Sequence, residues 1–113
     1  MGKGYKDSYA SLTGDFVIIS DKNISSIPDE IVQILHEWKN YGQAHQEEYY
    51  KNGNYCPVKG ASEVFRYNGI NYSVTPGFFG LYPDYFEYIM IKFVEDALVE
   101  IGAEEVFCTA MID

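Results

Sequence analysis

The chain has 113 residues, 47% of them hydrophobic, which is enough for one domain with its own core. Seventeen acidic residues against eight basic ones give a formal net charge of −9, a field that repels nucleic acid and anionic membranes and attracts basic partners, or that serves solubility alone. No apolar run approaches a membrane span, residues 1–14 lack the apolar segment of a signal peptide, and two cysteines without close spacing suit a reduced, cytoplasmic protein.

In chain order, residues 1–13 are polar and are expected to form a flexible N-terminal arm, followed by a single α+β domain over 14–113. Residues 15–20, DFVIIS, are a short apolar run with β-branched residues, as in a covered central strand. A turn follows, in which Ser25 or Ser26 caps a helix with Pro28 in its first turn and Asp29 and Glu30 near its positive end. Ile27, Ile31, Ile34, Leu35, Trp38, Gly42, His45 and Tyr49 recur at helical spacing on one side of that helix. Asp29, Gln33, Glu37, Asn40 and Glu47 fall opposite. Its distal part, QAHQEEYYKNG, loses the stripe and is expected to project past the core until Gly53.

Residues 54–62 read as a connecting loop. Asn68–Gly69 is the preferred pair for a type I′ turn, and a two-residue loop there pairs Tyr67 with Ile70, Phe65 with Tyr72 and Glu63 with Val74 on a mostly apolar face. Arg66–Asn71 and Val64–Ser73 then share the mostly polar face. A Gly/Pro-punctuated loop over 76–83 carries Phe78, Phe79, Leu81 and Tyr82.

The next helix is predicted over 83–102, with Asp84 and Glu87 as a capping box and Gly102 as a left-handed C-cap. Phe86, Ile89, Met90, Phe93, Ala97 and Ile101 form its main stripe, which puts Phe93 at the centre of the core. Tyr88, Ile91, Leu98 and Val99 make its back apolar as well. Residues 105–112, EVFCTAMI, read as a last strand at a sheet edge, with neither Lys nor Pro to blunt it. The order β-α-β-β-α-β predicts a ferredoxin-like fold, a four-stranded antiparallel sheet with two helices on one face.

The chemistry of known catalytic motifs is mostly missing. His36 and His45 lie nine residues apart on one helix, hence on opposite sides, and neither CxxC nor HExxH occurs, so no metal or other cofactor is expected. No GxSxG, GxGxxG or Walker sequence is present. Nothing in the sequence lowers the pKa of Cys56 beside His45 or His36, and Cys108 reads as a small core residue. Acidic neighbours such as Glu47–Glu48, Glu95–Asp96 and Glu104–Glu105 read as solvated faces.

Contact chemistry remains. The aromatic group Phe78, Phe79, Tyr82 and Tyr85, and the acidic-aromatic segment Glu47, Glu48, Tyr49 and Tyr50, are the expected partner-binding residues. The expectation is a non-enzymatic protein-interaction module, an inhibitor or immunity-type antagonist of a basic protein that acts on nucleic acid, with no direct nucleic-acid or membrane contact. The alternative is a small-ligand-binding or enzymatic dimer with a pocket near His45, Tyr49 and Tyr72. An apolar helix back and an unprotected edge strand both favour a homodimer.

Overall fold

These patterns resolve, in a computed structural model that describes residues 9–12, 16–52, 57–76 and 86–112, into six strands and two helices. In chain order they are β1 (Tyr9–Leu12), β2 (Phe16–Ser20), α1 (Asp29–Asn52), β3 (Pro57–Tyr67), β4 (Ile70–Pro76), β5 (Phe86–Glu87), α2 (Tyr88–Glu100) and β6 (Glu104–Ile112). The sheet runs β1-β2-β4-β3-β5, with β6 also on β3, and all its pairings are antiparallel. The chain is therefore α+β, with two helices beside an antiparallel sheet.

Local chemistry explains the well-formed parts. The hairpin has the register that its turn demands, with Phe65 opposite Tyr72 and Glu63 opposite Val74. Asn68 (φ 53°) and Gly69 (φ 80°) both take the left-handed conformation of a type I′ turn. Helix α1 buries Ile31, Ile34, Leu35 and Trp38 and exposes Asp29, Gln33, Glu37, Asn40 and Glu47, as its spacing requires. At the end of α2, Ala103 N–H donates to Leu98 O and Gly102 N–H to Val99 O, both at 3.0 Å. With Gly102 at φ 103°, this is a Schellman cap. The core lies between helices and sheet. Trp38 stacks on Phe16, with ring centroids 6.0 Å apart, and Phe65 on Tyr72 at 5.3 Å. Among the described residues, no helix is long and apolar enough to cross a membrane.

Other expectations are corrected. A ferredoxin-like sheet has its last strand beside its first, whereas β6 pairs with β3, on the side away from β4. The sheet also gains β5 and, from the segment expected to be a free arm, β1 against β2. Strand β3 begins at Pro57, inside the expected loop. Its pairing with β6 shifts register between Lys59 and Ala61 and between Val64 and Arg66, and Glu105 takes φ 56° in the second bulge. Helix α2 begins at Tyr88 and turns Met90, Ile91, Val94 and Leu98 inward. Phe93 is half-buried at the margin, stacked on Tyr41 at 5.0 Å, and Ile89 is exposed. Both flanks of α2 are apolar, so periodicity does not decide which one the sheet takes.

Candidate functional site

Two features of the helix layer carry chemistry. The first is a groove where α1 and α2 meet, about 380 Å³ in volume. Ile34 from α1 and Ala97 and Ile101 from α2 give it an apolar floor. Glu30 and Glu37 line it from one helix and Glu100 from the other, with Gln33 between. Gln33 Nε2 donates to Glu37 Oε2 at 2.9 Å, which fixes that carboxylate one turn along α1. The outward face of α1 supplies two of the carboxylates and the last turn of α2 the third. Three anions around an apolar floor suit a long cationic side chain, whose methylenes cover the floor while its head reaches the carboxylates.

The second feature lies under α2. Glu63 sits in mid-β3 on the face that the helices cover, is 0% exposed, and leaves both carboxyl oxygens without a hydrogen-bond partner. Cys108 is its register partner on β6, and Glu95 descends from α2. One ligating atom from each of the three lies within 4.8 Å of the others. Desolvation, and after it the charge of Glu95, raise the Glu63 carboxyl to about 8. Burial, reinforced by the two carboxyls, pushes the Cys108 thiol to about 12. Cys108 is a free thiol, but at that value it is no nucleophile. Lys92 stands 3.6 Å from Glu95 on the solvent side.

Of the expected site residues, Glu47 is exposed on α1. Glu48, Tyr49 and Tyr50 belong to α1, with side chains outside the described residues, and Phe78, Phe79, Tyr82, Tyr85 and Cys56 lie outside them altogether. His45 stacks on Tyr41 at 4.2 Å and donates from Nδ1 to the Tyr41 carbonyl oxygen at 2.9 Å. Tyr72 is buried in the sheet against Phe65, and burial raises its phenol above its ordinary value, so it is a poor acid near neutral pH. The sequence put Glu63 on the apolar hairpin face without giving it a role, and Glu95, expected on a solvated face, is half-buried instead; each had a signal. Glu63 alternates onto the apolar face with Phe65. Glu95 lies four residues after Ile91 and three before Leu98, on the flank that α2 buries.

Compared with known proteins, the chain matches no family model, no curated protein and no solved structure.

Proposed function

We propose that the chain is a non-enzymatic interaction protein that holds a basic partner, as an inhibitor or immunity-type antagonist of a protein that acts on nucleic acid. The observation that carries this reading is the groove between α1 and α2, an apolar floor ringed by Glu30, Glu37 and Glu100. A net charge of −9 extends the same field over the molecule and speeds encounter with a positive surface. Glu47 continues the acidic face along α1. Carboxylates held this way suit a partner whose surface is built to take phosphates.

The test is an NMR titration of the labelled protein with a Lys- and Arg-rich helical peptide. Shifts are expected to cluster on α1 and α2 around the groove. The double variant Glu37→Gln/Glu100→Gln is expected to weaken binding at least about tenfold, as the loss of two charge-assisted contacts implies. Glu104→Gln/Glu105→Gln removes the same charge at the start of β6, beside Arg66 and outside the groove lining, and is expected to change affinity little. Equal losses in the two variants would leave only a diffuse charge effect and remove the groove.

A second copy of the chain belongs to the same reading. Among the described residues β6 pairs only with β3, and it carries no Lys or Pro to guard its other side. Light scattering during size exclusion at micromolar concentration is expected to give a dimer mass, and a clean monomer removes this part.

A further inference from the structure

Buried carboxyls almost always have a partner, because an unpaired one costs its whole desolvation penalty. Glu63 has none among its neighbours that meets hydrogen-bond geometry, and it is fully enclosed. Of the two groups that share its cluster, Glu95 worsens the problem as an anion, and Cys108 is a thiol whose proton burial holds in place. Three potential anions converge from three separate elements, β3, α2 and β6, on one point. A proton on Glu63 relieves part of this repulsion. A divalent cation offsets two of the three charges the cluster can carry and supplies the missing partner.

We propose that Glu63, Glu95 and Cys108 form a binding site for one divalent metal ion of the zinc type, at the seam between α2 and the sheet. Carboxylate oxygen and cysteine sulfur are both donors that such an ion takes, with metal–oxygen distances of about 2.0–2.2 Å and metal–sulfur of about 2.3 Å. A tetrahedral site with those bonds separates its ligands by roughly 3.4–3.6 Å. Atoms now within 4.8 Å therefore close by about an ångström, within the reach of side-chain rotation. Only Glu95 and Cys108 are partly exposed, so the ion enters from their side and a water completes the shell. Sulfur binds the ion as thiolate and each carboxyl as carboxylate, so protons leave to solvent as the ion binds.

The experiment uses the full chain, stripped with chelator and titrated with cobalt(II) as an optical stand-in for zinc. Wild type is expected to develop a sulfur-to-cobalt charge-transfer band that saturates at one equivalent, with zinc displacing it and with proton release seen by an indicator dye. Cys56→Ser is expected to keep the band. Glu63→Gln and Cys108→Ser, each first shown to retain the wild-type circular dichroism, are expected to lose it. Glu95→Gln, at a partly exposed position, keeps the test open should a buried variant fail to fold, and is expected to weaken binding at least about tenfold. No band in wild type, a band that survives Glu63→Gln, or one that vanishes in Cys56→Ser would overturn the proposal.

Discussion

Glu63 makes the largest single demand on the fold. Its carboxyl is raised from 4.5 to about 8, mainly by desolvation, with Glu95 and Lys92 facing it from α2 and Cys108 from β6. A raised folded-state value means that the native protein holds the proton more tightly than the unfolded chain does. Stability from this group is therefore complete below pH 4.5, declines as pH rises towards 8, and is flat above. At about 1.4 kcal/mol for each unit, the decline is on the order of 4–5 kcal/mol. In chelator-treated protein, Glu63→Gln removes the titration while keeping the shape. Urea unfolding is expected to give nearly equal stabilities for variant and wild type near pH 4, and a variant several kcal/mol more stable at pH 8 and above. Parallel curves across that range would mean that Glu63 is solvated. Phe93 and Leu98 make a second residue-level contrast. Leu98 is fully buried, so Leu98→Ala is expected to cost about 2–5 kcal/mol, and more than Phe93→Ala, whose ring is only half-buried against Tyr41. The reverse order in denaturant titrations would restore Phe93 to the centre of the core.

Among the elements, the hairpin is the most locally determined. At Gly69, with φ 80°, an added Cβ would meet nothing within 4 Å, so Gly69→Val is a test of backbone strain without a clash. It is expected to destabilise by about 1–3 kcal/mol, and a melting temperature within error of wild type would contradict the type I′ assignment. What the sequence made legible follows the same division. The hairpin register, the inward stripe of α1 and the Gly102 cap each depend on residues close in the chain, and each was readable in advance. The place of β6 was not, because Val106 and Cys108 suit a seat beside either β2 or β3; Gly60 signals a bulge only once β3 is known to run through it, and the bulge at Glu105 carries no local sequence signal. The groove was half legible. Glu37 marked the outer face of α1 and Glu30 its first turn, but their meeting with Glu100 over Ile101 depends on how two helices pack, a distant contact that periodicity does not encode. The cluster under α2 was hidden for the same reason, since Glu63 becomes desolvated only once Glu95 and Leu98 lie above it.

At the scale of the molecule, charge and shape act together. Seventeen acidic side chains on a chain of this size produce a field that reaches well beyond any single contact. Helices α1 and α2 gather part of it at one groove, where the apolar floor of Ile34, Ala97 and Ile101 lets a partner exclude water from the contact. The two contributions separate in kinetics. Long-range attraction governs encounter and is screened over about 8–10 Å at physiological ionic strength, whereas close contact over an apolar floor governs dissociation and is far less sensitive to salt. Stopped-flow association with a basic partner is therefore expected to slow by about tenfold between low and physiological salt, with a dissociation rate that changes little. Glu37→Gln/Glu100→Gln is expected to flatten the salt dependence only slightly, since it removes two of many charges, while it speeds dissociation. An association rate indifferent to salt would mean that the acidic field serves solubility alone, and binding would then rest on the apolar floor.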